Sequence, residues 1–159
     1  MKVFTLKRRQ HLPHTLEEVF PFFQRPENLS RLTPDNLHFQ ILTPSPVAMH
    51  TGAIIDYVIT ISGTEVHWTT MITEYEPPYR FVDVQLRGPY AFWHHTHLFE
   101  AADEGGVWMT DEVRYALPFD WMGELVHLLW VKKQLERIFD FRARVVKGFL
   151  GEASLAGPE

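Results

Sequence analysis

The run His94-His95-Thr96-His97 sits in a stretch, Tyr90 to Glu100, whose side chains alternate in character. In an extended segment His95 and His97 share one face with Trp93 and Phe99, while His94 takes the other. The large apolar flanks mark the first face as the inner one. If Asp103-Glu104-Gly105-Gly106 closes a hairpin, Phe99 stands opposite Met109 and His97 opposite Asp111. Asp111 then shares the inner face with Val113 and Tyr115, leaving Thr110, Glu112 and Arg114 outside. An imidazole beside a carboxylate can titrate near neutral pH and move protons, with His95 or His97 as base and Asp111 or Asp83 as orienting partner. The same groups could equally satisfy one another as buried pairs that fix strand register. A metal reading is weaker. Only His95 and His97 share a face, and a zinc site needs a third or fourth ligand such as Asp111. No metal is assigned.

Other chemistries are excluded more firmly. The chain has no cysteine, so thiolate zinc sites, Cys nucleophiles, iron–sulfur clusters and disulfides are absent. No glycine-rich phosphate loop and no G-x-S-x-G elbow occurs. Fifteen basic against twenty acidic residues give a net charge of −5, and Lys7-Arg8-Arg9 is a short run at a strand end, so no nucleic-acid partner is expected. No apolar run is long enough for stable membrane insertion. The amino-terminal charges follow rather than precede the apolar residues, which does not read as a signal peptide, and a cytoplasmic location is the expectation.

The elements that must position the histidines follow from periodicity. Residues 2–10 alternate as an opening strand that Pro13 ends. Thr15-Leu16-Glu17-Glu18 matches a capping box, starting a short helix that presents Leu16, Val19, Phe20 and Phe23 inward and that Pro21 shortens. A second short helix runs from Pro26 to about Leu32. From Leu37 to Leu117 strands follow one another with short turns: 37–41, 53–61, 65–75, 81–86, 90–100 and 107–117. After Pro118 the period becomes helical. With Asp120 as N-cap, residues 121–150 carry Leu125, Leu128, Leu135, Ile138, Phe139, Val145, Val146 and Phe149 on one face, and Lys132, Lys133, Glu136, Arg137 and Arg144 on the other. Unbroken, this helix would be roughly 40–45 Å long, with Gly148 and Gly151 marking its end. The expected fold is α+β: a curved antiparallel sheet of about seven strands, two short helices, and one long C-terminal helix packed across the exposed sheet face. Residues 1–151 form a single domain and 152–159 a frayed tail.

This order resembles the SRPBCC superfamily (START-like, helix-grip fold), and its motifs resemble the bacterial polyketide cyclase/dehydrase-like branch. The matching residues run from Glu27-Asn28-Leu29 through Gly52, Asp56-Tyr57, Trp68 and Pro77-Pro78. The densest match is Phe81-x-Asp83-x-Gln85-x-x-Gly88-Pro89 followed by Trp93-x-His95-x-His97-x-Phe99, then Asp111-x-Val113-x-Tyr115 and Ile138-Phe139-x-Phe141-Arg142. The resemblance bears on one ambiguity. By apolarity Val82, Val84 and Leu86 would turn inward, whereas the resemblance implies Phe81, Asp83 and Gln85.

On that implication Asp83, Gln85, His95, His97 and Asp111 form a polar cluster in an apolar cavity lined by Phe39, Tyr57, Ile59, Trp68, Ile72, Trp93, Tyr115, Leu135 and Phe139. Arg142 on the helix is expected to pair with a sheet carboxylate or to reach a ligand acid group. The expected function is binding of a hydrophobic small molecule, whether lipid-like, polyketide-like or aromatic, between sheet and C-terminal helix, with no cofactor required. One alternative is a cyclase or dehydratase using a His–Asp acid/base pair. Another is a protein-partner-binding domain without an open cavity.

Overall fold

In a computed structural model the described residues are 1–118, 125 and 127–153. Seven strands form one antiparallel sheet: β1 (Phe4–Leu12), β2 (Gln40–Ile41), β3 (Ile54–Ile61), β4 (Thr64–Glu76), β5 (Arg80–Arg87), β6 (Phe92–Ala101) and β7 (Val107–Ala116). Their spatial order is β1-β7-β6-β5-β4-β3-β2, so β2 to β7 form a meander and β1 closes on β7. The segment from β1 to β2 must therefore cross the whole sheet. It does so as α1 (Leu16–Phe23), a 3-10 turn at Pro26–Asn28, and α2 (Leu29–Leu32). The capping box is present at the start of α1, where the Thr15 N–H donates to Glu18 Oε2 at 2.8 Å. The helix ends two residues after Pro21.

The turns are set locally. Ser62 and Gly63 both adopt positive φ (50° and 79°), the geometry of a tight two-residue hairpin between β3 and β4. At Gly106 a Cβ would meet the Leu12 carbonyl oxygen at 2.5 Å, so β1 can pass the β6–β7 loop only because this residue has none. The resulting register pairs Phe99 with Met109 and His97 with Asp111, as the alternation predicts. Two register shifts in β4, after Thr69 and after Ile72, bend the long central strand and curve the sheet.

The curved face is covered by α3 (Lys132–Ala153), 22 residues long, preceded by a π-helical turn at His127–Val131. One core joins Phe20, Phe22 and Phe23 of α1 to Phe81, Phe99, Val146 and Leu150. A second joins Leu6, Val113 and Tyr115 to Val131, Leu135 and Phe139. Gln10 Nε2 donates to the Ala143 carbonyl at 3.0 Å, fixing α3 over β1.

Three expectations are corrected. Leu37 belongs to a 3-10 turn (Asp35–Leu37) rather than a strand, because His38 follows in the left-handed region (φ 44°) and breaks the extended run; β2 keeps only two residues. Leu125, placed on the inner stripe, is 61% exposed. The π turn downstream of it inserts one extra residue, which rotates Leu125 by about 100° relative to α3. α3 also continues through Gly148 and Gly151 to Ala153. The Asp120 cap, the side chains of Leu128 and Phe149, and residues 154–159 lie outside the described residues.

Candidate functional site

Between the sheet and α3 is a cavity of about 190 Å³. The face-choice conflict on β5 resolves toward the polar residues. Phe81 and Asp83 line the cavity, while Leu86 is 51% exposed and Val82 is buried away from it. Of the expected ligand-binding residues, Tyr57, Trp68, Asp83, Trp93, His95, His97, Leu135, Phe139 and Arg142 line this space. Gln85, Asp111 and Tyr115 do not.

Each exception has a physical reason. Gln85 clamps the β5–β6 turn: its Nε2 donates to the Tyr90 carbonyl at 2.8 Å and its Oε1 accepts from the Tyr90 N–H at 3.2 Å. A Cβ on Gly88 would fall 2.5 Å from that Oε1, which accounts for the Gln85-x-x-Gly88 spacing. Tyr115 packs against Phe4 and Tyr90, and burial pushes its hydroxyl up to about 12. Asp111 lies behind the histidines. The reading from sequence missed the contribution of the crossing segment, where Phe23, Leu29 and Leu32 form the opposite wall, and it missed Tyr90 and Thr70. The apolar positions of α1 and α2 were visible, but nothing local says that those helices close a cavity.

The polar cluster is a stack of two imidazoles held between two carboxylates. The His95 and His97 rings lie 3.7 Å apart at their centroids, a consequence of i, i+2 placement on one face of β6. His97 Nε2 is 2.7 Å from Asp83 Oδ2, and its Nδ1 is 3.3 Å from Asp111 Oδ1. His95 Nε2 is 2.9 Å from Asp111 Oδ1, and its Nδ1 is 3.5 Å from Asp83 Oδ2. Arg142, reaching in from α3 and only 6% exposed, donates from one guanidinium NH₂ to Asp111 Oδ1 at 3.2 Å. Its Cζ lies 5.3 Å from the Phe23 ring centroid. Its Nε has no hydrogen-bond partner. The sheet-carboxylate pairing expected for Arg142 is therefore found, with Asp111.

Electrostatics divide the pair. Burial alone would raise Asp111, but the Arg142 guanidinium and the two imidazoles hold its carboxyl well below the usual range. Burial likewise opposes ionisation of Asp83, and His95 and His97 overcome it. Burial also disfavours the charged form of both histidines. For His97 the two carboxylates outweigh it and raise the pKa, whereas for His95 burial and the adjacent His97 win and lower it. The charged form is thus favoured at His97 and the neutral form at His95, and with His97 charged an imidazolium and the Arg142 guanidinium would balance the two carboxylates. Asp83, His95 and His97 also place three metal-ligand atoms within 4.8 Å of one another.

The rest of the cavity is aromatic. Tyr57 stacks on Trp68 (5.7 Å, 17°), and Trp93 meets Trp68 edge-on at 5.2 Å. Burial raises the Tyr57 and Tyr90 hydroxyls, which stay neutral donors. The Tyr57 hydroxyl has only a 3.5 Å contact to Thr70 Oγ1. The arrangement can hold an apolar, ring-shaped molecule and present proton donors and acceptors at one end of it.

No protein-family model and no curated protein sequence matches the chain. Solved structures do. Zhui aromatase/cyclase from Streptomyces sp. R1128 superimposes with a TM-score of 0.74 at 12% identity, covering 98% of each chain. A protein from Thermus thermophilus gives 0.73 at 17% identity, covering 94% of this chain and 99% of that one. A nucleoside-diphosphate sugar epimerase from Corynebacterium glutamicum gives 0.66 at 21% identity, where 92% of this chain matches 29% of the larger one. The first two superpositions run along nearly the whole length of both chains, and the chain has the α+β helix-grip fold.

Proposed function

We propose that the chain binds a small, mostly apolar molecule between its sheet and α3, with the His–Asp–Arg cluster setting the orientation of one polar end. The observation that carries this is the cavity itself: about 190 Å³, walled by Tyr57, Trp68, Trp93 and Phe139, with Asp83, His95, His97 and Arg142 together on its lining. Mostly apolar walls with a few convergent polar groups are the usual anatomy of a small-molecule site. The volume argues for one or two rings rather than a long lipid, since an apolar cavity of about 150 Å³ holds one benzene. That a structure of the same fold is an aromatase/cyclase is in keeping with an aromatic or polyketide-like occupant.

A second reading, proton transfer within the bound molecule, is favoured by one observation: both histidines line the cavity while each also touches a carboxylate. Native mass spectrometry of the purified chain, before and after solvent extraction, tests the first reading. A co-purifying non-covalent mass supports it. Failure to carry such a mass and failure to bind any aromatic probe by Trp fluorescence would overturn it. Once a ligand is identified, His95→Gln and His97→Gln separate the two readings. A binder loses affinity modestly, while an acid–base catalyst loses turnover by about 10²–10⁴-fold.

A further inference from the structure

The two sides of the imidazole stack are not equivalent. On the side of Asp83, His97 Nε2 and His95 Nδ1 lie 2.7 and 3.5 Å from the same oxygen, Oδ2. On the other side, Asp111 Oδ1 takes the second nitrogen of each ring, at 2.9 Å from His95 Nε2 and 3.3 Å from His97 Nδ1. Asp83, His95 and His97 line the cavity, and Asp111 does not. Arg142, itself on the cavity lining, anchors Asp111 at 3.2 Å from the same Oδ1 and comes within 3.4 Å of His97 Nδ1.

Asp111 therefore acts as a shared rear acceptor. The opposite nitrogen of each ring faces Asp83, and His97 Nε2 donates its N–H to Asp83 Oδ2 at 2.7 Å. Two ring nitrogens and a carboxylate oxygen gathered at one spot need a positive group between them. A proton on His97 is one such occupant. A cation is the other, and the rear carboxylate is what metal-bound histidines ordinarily carry on their second nitrogen. Three ligands about 2.0–2.2 Å from one cation stand roughly 3–3.7 Å apart; on the Asp83 side the two nitrogens stand 2.7 and 3.5 Å from Oδ2 and all three ligand atoms lie within 4.8 Å of one another, so the shorter contact would open slightly around a cation.

We propose that Asp83, His95 and His97 form a two-histidine, one-carboxylate site for a divalent first-row transition cation, open toward the cavity, with Asp111 and Arg142 as its orienting support. Two nitrogens, one oxygen and vacant positions suit Zn²⁺, Fe²⁺ or Co²⁺, and the absence of any sulfur ligand disfavours Cu⁺. The remaining coordination positions face the space where the organic ligand would lie. The assignment does not depend on that ligand, so it stands or falls separately from the proposed function.

The test uses the full chain, stripped with EDTA and titrated at neutral pH with Zn²⁺ by calorimetry and with Co²⁺ by visible absorption. The expected result is one equivalent bound with submicromolar affinity and a Co²⁺ spectrum of low symmetry. Asp83→Asn and His97→Gln should weaken binding by at least 100-fold. Asp111→Asn, acting through ring orientation, should weaken it by about 10–100-fold. His11→Gln and His50→Gln, at exposed surface histidines, should leave it unchanged. If the cluster variants fail to fold, the wild-type titration decides alone, together with a rise in Tm on adding Zn²⁺. Absence of stoichiometric binding to the wild type, or binding that survives Asp83→Asn and His97→Gln in folded protein, overturns the assignment and leaves an ion-pair network closed by a proton.

Discussion

At the scale of single residues, Asp111 is the pivot of the molecule's interior. Its Oδ1 faces His95, His97 and Arg142, and the side chain is only 3% exposed. Removing one member of a buried charge set leaves the others desolvated and unpaired, which costs about 3–5 kcal/mol. Asp111→Ala should lose that much in urea denaturation. Arg142→Met in the Asp111→Ala background should recover a large part of it, since the guanidinium would no longer be buried without a carboxylate. A single-variant loss under about 1 kcal/mol would mean that water or a backbone group replaces the carboxylate, a loss in the range of an ordinary neutral hydrogen bond. The histidines and Asp111 were legible in the sequence because alternation and a Gly-Gly loop fix the β6–β7 register within one residue. Asp83 was not legible from its own strand, where Val82, Val84 and Leu86 compete for the inner face by apolarity. Hydrophobic patterning fails there for a physical reason: the buried polar residues are stabilised by partners on other strands and on α3, which a local pattern cannot see.

At the scale of elements, two joints invite measurement. Glu27, at the entry to α2, reaches the β2–β3 loop, accepting from the Val47 N–H at 2.8 Å and the Ser45 hydroxyl at 3.0 Å. The Val47 hydrogen bond holds its carboxyl below the usual 4.5. A carboxyl depressed by folding contributes fully above its unfolded pKa, and that contribution is lost as the pH falls through the folded value. The stability difference between wild type and Glu27→Gln should therefore be present at neutral pH and shrink below about pH 4.5, read from urea midpoints across that range. A difference independent of pH would remove the ionised carboxylate from the account. The second joint is α3, which the sequence pattern expects to end near Gly148 but which runs on to Ala153. Gly148 is exposed, and a Cβ there would meet nothing within 4 Å. Gly148→Ala should raise stability by about 0.5–1 kcal/mol through backbone entropy alone, seen as a higher urea midpoint with no change in slope. No gain would mean that the last turn is not helical in solution. The other end of α3 was legible only in part, because a π turn is one inserted residue in an otherwise continuous apolar period and no residue type announces it.

At the scale of the whole molecule, the fold is a sheet that two cores hold against α3 on either side of a space they do not fill. The element order and the meander from β2 to β7 were readable because those strands are joined by short turns with their own chemistry, whereas the pairing of β1 with β7 was not. The far wall was not, because α1 and α2 act on the cavity only after the chain has crossed the entire sheet. Such a space constrains its occupant by size more strictly than by chemistry. Interiors are packed densely, and enlarging a cavity requires repacking that costs about 1–3 kcal/mol. Monocyclic and bicyclic aromatics should therefore raise the Tm, with a ligand at 100 times its Kd adding about 2.7 kcal/mol, while tricyclic and larger molecules should give little or no shift at the same concentration. A calorimetric series of increasing ring number measures this. If affinity grew steadily with ring number instead, the larger rings would be protruding through the open side of the cavity unless α3 lifts away from the sheet to admit them. If α3 lifts, the Arg142–Asp111 contact that ties helix to sheet would be breaking, and the same series repeated on Arg142→Met would show the size limit weakened further.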